Sequence, residues 1–428
     1  MKSSTYSPNS KSRKRSTPWR SLAFISGCAV VTAASMLFAQ QQQQNGAQST
    51  TAPPLVKGQM RGIQPDAAHP VLPIGAQAPD FDLPGIDGKN HMLAEYAHAK
   101  ILVILFQSNH CPVSQLYEGR MKDIQRDYKS QGLVVVGINP NNPKAVRINE
   151  LDHADMSDSL PEMKRHAEDR HFTWPYLYDG ETQAVAAKYG TVSTPHVFIF
   201  DQDRKLRYQG RIDDNMLDTA AKTHEARDAI DALVAGKPVP LETTRAFGCS
   251  TKWLTKSGDV QAEWAKIVAE PVKVDMAGAD ELKKLRANAA GKFLVVNFWS
   301  MKCPECVATF NDFETSYRMY RVREAFAYVS VSTDDQADSA AVLKYLQEQH
   351  ASGPNLQFAS ADKGALQAAF GEKWKLGQPF MVIIGPDGKI LYRKEGKADA
   401  LEVRHELLRN LPDDRAWVGM LKYWNSKQ

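Results

Sequence analysis

Cys303-Pro304-Glu305-Cys306 follows directly on the apolar run Phe293–Trp299. Two cysteines with two residues between them, after a strand-like run, place a dithiol at the start of a helix. There the unpaired backbone N–H groups and the helix dipole favour a thiolate, the reactive form in disulfide exchange. The spacing lets one sulfur attack a substrate disulfide while the other reaches back to release the mixed disulfide. Cys303, at the helix start and the more exposed of the two by position, is the expected nucleophile, and Cys306 the resolving thiol. A zinc site would need a second pair of Cys or His ligands at suitable spacing, and none follows. Haem attachment would need His after the second cysteine, where Val307 stands. Two cysteines brought close by chance at a helix start are the remaining bland reading.

The chain has 428 residues, which sets a prior of two or three domains. Hydrophobic content of 43% and charged content of 24% describe a globular protein with ample core. Its formal charge of +4 is unevenly placed. Residues 1–39 hold Lys2, Lys11, Arg13, Lys14, Arg15 and Arg20 and no acid, so without them the chain carries about −2. That balance gives no electrostatic support for binding nucleic acid.

The same basic stretch, ending at Arg20, precedes nineteen uncharged residues, Ser21 to Ala39, and then the polar tract Gln40–Gln44. Basic, apolar, polar is the order of an export signal. As a helix the run reaches about 28 Å, close to a membrane span, so cleaved signal and retained anchor both fit residues 1–39. Either way the domains end up beyond the membrane, in the periplasm or outside the cell. Ile25-Ser26-Gly27-Cys28 resembles a lipoprotein cleavage box, but the apolar run continues past Cys28, which favours a small apolar residue within the signal. Four other cysteines, Cys111, Cys249, Cys303 and Cys306, are too few for a stapled scaffold and read as reactive or paired thiols.

Residues 40–73 are rich in Gln, Pro, Gly and Ala without hydrophobic period and read as a flexible linker. A first unit over 74–256 opens with a hairpin at Asp87-Gly88. It continues through strand Ile101–Phe106, a helix after Cys111, strand Leu133–Ile138 and a run His196–Phe200 after Thr194-Pro195. A second unit over 270–428 repeats the order: strand, Cys303, helix, strand Phe326–Val331, then Gln378-Pro379 before Phe380–Ile384. Cysteine and proline lie 84 residues apart in the first unit and 76 in the second. The fold class expected is α/β: two units in tandem, each a central mixed sheet flanked by helices.

On these residues the second unit resembles exported thioredoxin-like oxidoreductases of the TlpA/ResA kind. Its Trp299-Ser-Met-Lys-Cys303-Pro-Glu-Cys306 stands where they carry a strand, a tryptophan and the dithiol. The first unit resembles the redoxin branch of the AhpC/TSA (peroxiredoxin-like) superfamily, with Ser108-Asn-His-Cys111-Pro112 as active-site loop and Ser193-Thr194-Pro195 as proline loop. The resemblance implies thioredoxin-like folds and a cis proline beside each redox centre. The residues before Pro195 and Pro379, Thr194 and Gln378, would then face an extended substrate. No cofactor and no metal is implied. Implied partners are protein disulfides or thiols and a membrane electron donor.

The sequence also departs from the family. Lys302 replaces the tryptophan usual before the first cysteine, and its ammonium would favour the Cys303 thiolate. Asn297 and Thr309 stand where acids are common. In the first unit Ser108 fills the place of a first CxxC cysteine, so this loop cannot close its own disulfide. Ile104 replaces the peroxiredoxin motif's proline, and Thr194-Pro195 stands where its arginine is sought. His110 and His196 would converge on Cys111 if the proline loop abuts it, supporting a thiolate or offering a copper site. Cys249, in the Gly- and Ser-bearing segment 248–252, is read as a mobile resolving thiol for Cys111.

The expected function is an exported thiol–disulfide oxidoreductase with a second Cys-based redoxin domain. A thiol peroxidase with Cys111 peroxidatic, or a metal-binding or chaperone-like redoxin, is the alternative. The targeting expectation is checked by fusing a reporter enzyme, active only in oxidising compartments, after Gln428. It should be active, and a cytoplasmic reporter at the same place should be silent.

Overall fold

The computed structural model describes residues 55–360, 362–413 and 417–426. The segment 1–39 with Cys28, and the linker to residue 54, lie outside the described residues. None of the described helices is long and apolar enough to cross a membrane.

After a short hairpin, β1 (Asp82–Pro84) with β2 (Asn90–Met92), the first sheet is built from β3 (Ile101–Phe106), β4 (Leu133–Asn139), β5 (Tyr176–Tyr178), β7 (His196–Phe200) and β8 (Leu206–Gly210). Its order is β5-β4-β3-β7-β8, with β5, β4 and β3 parallel and β7 and β8 antiparallel. β3 is aliphatic throughout because both its faces are covered. Ile101, Val103 and Leu105 pack with α1 (Pro112–Tyr128) and α4 (Glu225–Val234). Leu102, Ile104 and Phe106 pack with α3 (Ala184–Tyr189) on the other side. Between α1 and α3 in sequence runs α2 (Leu160–Asp169), opened by a Ser159–Glu162 capping box. Outside this sheet, the two-residue strands β6 (Ser193–Thr194) and β9 (Cys249–Ser250) pair with each other.

The second sheet repeats the plan with β10 (Asp275–Ala277), β11 (Phe293–Trp299), β12 (Phe326–Ser332), β13 (Asn355–Phe358), β14 (Phe380–Ile384) and β15 (Ile390–Glu395). Its order is β10-β13-β12-β11-β14-β15, again parallel on one side of the strand that leads to the cysteine and antiparallel on the other. Val295 faces α7 (Pro304–Tyr320) and α10 (Ala400–Asn410), while Leu294, Val296 and Phe298 face α6 (Ala279–Ala287) and α9 (Lys363–Phe370). The chain is therefore two thioredoxin-like α/β folds in tandem, as the element order leads one to expect.

Other expectations need correction. From Leu55 onward the linker is held against the first sheet's layer. Ile63 N–H donates to Ala246 O at 2.9 Å, Leu72 N–H to Tyr189 O at 3.1 Å, and Met216 N–H to Gly58 O at 2.9 Å. Met60, Val71 and Leu72 supply the apolar anchors, which are too irregularly spaced to show a period. Helix α5 (Ser257–Val268), which joins the two halves, has no strong apolar stripe and buries only Ile267.

The two halves are closed together by buried charges. Glu118 on α1 accepts from His166 Nε2 at 2.7 Å, Arg170 Nε at 3.3 Å and the hydroxyl of Tyr423 at 3.0 Å. Tyr423 lies on α11 (Met420–Asn425), beyond the second sheet, and its ring lies 3.6 Å under the Arg170 guanidinium. A second link runs from His405 Nε2 to Asp155 Oδ2 at 2.6 Å. Removing one partner of such a set strands the others without water. Glu118→Ala should therefore cost about 3–5 kcal/mol, read from denaturant unfolding, whereas the exposed-pair variant Lys344→Ala should change stability by less than about 1 kcal/mol.

Candidate functional site

Cys303 is the N-cap of α7, with Pro304 at the first helical position, where its missing N–H costs nothing. Its sulfur is bonded to Cys306, and the Cys306 N–H donates to Cys303 Sγ at 3.1 Å. The loop before it is fixed by a residue that sequence reasoning passed over. Asp334, just past β12, accepts from the Ser300 hydroxyl at 2.6 Å and the Met301 N–H at 3.0 Å. Ser300 Oγ in turn accepts the Lys302 N–H at 3.0 Å. Trp299 is buried beneath, against Phe310 and Tyr345, with ring centroids 4.7 and 5.1 Å away.

Three expectations for this centre change. Cys303 was expected to be the exposed sulfur, yet Cys303 is 1% and Cys306 4% exposed. Both belong to an apolar cluster with Phe310, Val342 and Leu346, against which Val272 and Val274 of the inter-sheet segment pack. The Lys302 ammonium turns outward to Asp338 at 2.9 Å and Asp335 at 3.4 Å, so its charge is spent on carboxylates. Among the described residues the one cis peptide bond is Thr194–Pro195. Gln378–Pro379 is trans; the chain turns instead at Gly377, whose φ of +79° suits a residue without a side chain. Gln378 is half-buried, Pro379 is buried, and the Pro379 carbonyl accepts the Gly396 N–H at 2.8 Å.

In the first sheet's centre the sequence-predicted residues come together. Cys111 is the N-cap of α1, fully buried, and its thiol donates to the Thr194 carbonyl at 3.0 Å. The Ser108 and Thr194 hydroxyls share a hydrogen bond of 2.8 Å. Thr194 is also fully buried and does not face outward. The edge expected to meet substrate is paired with β9, Thr194 lying opposite Cys249. That ladder places the Cys249 N–H 3.4 Å from Cys111 Sγ, with both thiols free. Cys249 thus sits on a pinned strand, in place of the mobile segment expected.

Asp158, which no sequence signal marked, organises this centre. Its Oδ2 lies 2.5 Å from His110 Nδ1, and it accepts from Asn109 N–H at 2.8 Å and Asn141 Nδ2 at 2.9 Å. Burial opposes the Asp158 charge, but His110 and these donors outweigh it and hold the carboxyl down to about 2. Burial alone would lower the His110 pKa; Asp158 reverses this and raises it. Burial likewise opposes a Cys111 thiolate. The Cys249 thiol, the His110 charge and the backbone N–H groups of Ser114 and Cys249 prevail, and the Cys111 pKa is pushed down to about 6. The hydrogen bond to Cys111, then burial, push Cys249 up. One thiol of the pair is made acidic at the other's expense.

His196 does not join this group as expected. Its Nε2 lies 2.9 Å from Gln209 Oε1, and its Nδ1 accepts the Val192 N–H at 3.4 Å. Burial, only partly opposed by Gln209, holds its pKa down to about 4. With both nitrogens engaged it is not available as a metal ligand, and among the described residues no group of three or more His, Cys, Asp or Glu is arranged to hold an ion.

Against known proteins, the model of the AhpC/TSA family matches residues 74–209 and, separately, 269–393. The chain is 25% identical over 134 residues to the thiol-disulfide oxidoreductase ResA of Geobacillus thermodenitrificans, covering 31% of this chain and 67% of that protein. It is 34% identical over 70 residues to a putative peroxiredoxin of Mycobacterium tuberculosis, covering 16% of this chain and 45% of that protein, less than half its length. Among solved structures, a hypothetical protein of Sinorhizobium meliloti matches with 32% identity and a TM-score of 0.39, over 45% of this chain and 98% of that one. A putative thiol:disulfide interchange protein DsbE of Chlorobium tepidum matches with 18% identity and a TM-score of 0.29, over 39% and 97%.

The His110–Asp158 pair generates a pH prediction. In Asp158→Asn the imidazole loses the anion that keeps it charged, so the Cys111 thiolate loses a neighbouring cation. The midpoint of Cys111 alkylation by iodoacetamide, expected near 6 in the parent from its lowered pKa, should rise by roughly one to two units. An unchanged midpoint would mean that Asp158 only holds the loop together.

Proposed function

The chain belongs to the AhpC/TSA family, and from that premise we propose that it is an exported thiol–disulfide oxidoreductase whose exchanging pair is Cys303 and Cys306. The observation that carries this reading is the closed Cys303–Cys306 bond at the head of α7. One hydrogen bond supports the division of roles. The Cys306 N–H already points at Cys303 Sγ, so reduction releases Cys303 as a thiolate with a donor in place. Cys303 attacks a substrate disulfide; Cys306 then attacks Cys303 and frees the reduced substrate. Because both sulfurs are covered, exchange requires the surrounding apolar cluster to open. Substrates are protein thiols or disulfides beyond the membrane, served by a membrane electron donor.

Cys111 and Cys249 form the second redox pair of this reading. The acidic Cys111 thiol beside a protonated Cys249 also favours a thiol peroxidase, with Cys111 oxidised first and Cys249 closing the disulfide.

The primary reading is tested with Cys306→Ser in cells. Client proteins should accumulate on Cys303 as mixed disulfides, resolved by diagonal gels and peptide mapping. Trapping that needs Cys303→Ser instead would reverse the roles, and trapping by neither would remove the dithiol from the reaction. For the second pair, mapping of air-oxidised protein should show Cys111 linked to Cys249, opened by mild reductant.

A further inference from the structure

Thr194 carries its carbonyl 3.0 Å from Cys111 Sγ, on a strand edge that would otherwise be open. Residues 248–251 fill that edge. Cys249 and Ser250 pair antiparallel with Thr194 and Ser193, and Thr251 N–H donates to Val192 O at 3.2 Å. Gly248 enters at φ +143°, so close to β6 that a Cβ there would lie 2.1 Å from the Thr194 carbonyl oxygen. The approach is a tight fit made possible by glycine. Extended polypeptides reach a reactive group beside a sheet by adding a strand to a free edge. Here the chain's own strand has taken that place, and it carries a thiol to the sulfur that a bound peptide would have met. A cleft of about 410 Å³ runs beside β9, lined by Thr191, Val192, Ser250, Thr251 and Lys252. Cys111 is fully buried and does not line it, so an oxidant reaches the sulfur through local opening, which a compact molecule needs less of than a polypeptide that must displace β9.

We propose that β9 is a specificity element that closes Cys111 to polypeptide disulfides and reserves it for compact electrophiles, hydroperoxides or low-molecular-weight disulfides. This rests on the reading of Cys111 and Cys249 as a redox pair. The Cys111 thiolate attacks an electrophile X–Y, an S–X bond forms, and Y leaves with the bonding electrons and takes a proton. Cys249 gives up its proton and attacks the Cys111 sulfur, and X leaves with the electron pair and that proton. Two thiols become one disulfide while X–Y gains two electrons and two protons. A hydroperoxide yields alcohol and water, and a small disulfide yields two thiols.

The test uses the full chain with Cys303→Ser and Cys306→Ser, so that only the first centre reacts. Reduced protein is mixed with hydrogen peroxide, with oxidised glutathione or with insulin, and the Cys111–Cys249 disulfide is followed by peptide mapping. At least one small oxidant should close it on the order of 100-fold faster than insulin, since insulin requires β9 to unpair first. Gly248→Val, which forces β9 away from Thr194, should narrow that gap about tenfold. Insulin closing the pair as fast as the small oxidants in the parent chain overturns the proposal and leaves the redox-pair reading standing. No disulfide with any of the three overturns both. The parent comparison decides the matter whether or not the Gly248 variant folds.

Discussion

The sulfur of Cys111 is held by backbone from two directions, and the arrangement around it depends on both. One is the Thr194 carbonyl that accepts its thiol. The other is the Cys249 N–H, brought there by a ladder only two residues long. A buried thiol in apolar surroundings is ordinarily less acidic, not more. Here burial is opposed by a hydrogen-bonding thiol and by an imidazole whose charge is itself maintained by a buried carboxylate. Each group compensates the cost of burying the next, so the chain Asp158–His110–Cys111–Cys249 works as a unit.

The two sheets solve one problem in two ways. In both, the cysteine caps a helix that follows a strand buried on each face, and a proline precedes the neighbouring antiparallel strand. The second half draws its partner sulfur from the next turn of the same helix, so its disulfide is local. In the first half Cys111 caps its helix as Cys303 does, the position three residues on is Ser114, and the partner sulfur comes from a strand 138 residues away in sequence. The local solution needs a helix; the distant one needs the whole fold to be in place before the two sulfurs meet.

The dithiol at a helix start, the element order and the repeat were readable because cysteines mark themselves chemically and buried strands are unbroken aliphatic runs. Cys249 was readable by elimination, since few cysteines were left. Asp158 was not: it is one of 49 acids, in a polar loop without period, and only folding brings it to His110. The proline isomers were equally hidden, because cis and trans X–Pro differ by no more than about 1 kcal/mol before tertiary context acts. The burial of Cys303 depends on Val342 and Leu346 of α8 (Ser339–Glu348), whose spacing from it has no sequence signature. Lys302 looked like a neighbour of the thiolate by sequence, but carboxylates from after β12 claim it.

The clamp on Glu118 also has an order in time. Its partners His166 and Arg170 follow within 52 residues, but Tyr423 comes 305 residues later. Tyr423 also follows Ser250, the end of β9, by 173 residues, so at ribosomal rates of about 5–20 residues per second roughly 9–35 s pass between the last strand of the first half and its arrival. During that interval the first sheet has everything its own core needs, yet the outer flank of the helix bearing Cys111 is still wet. The nascent protein therefore passes through a stage in which one redox centre is assembled and the joint to the other is unfinished.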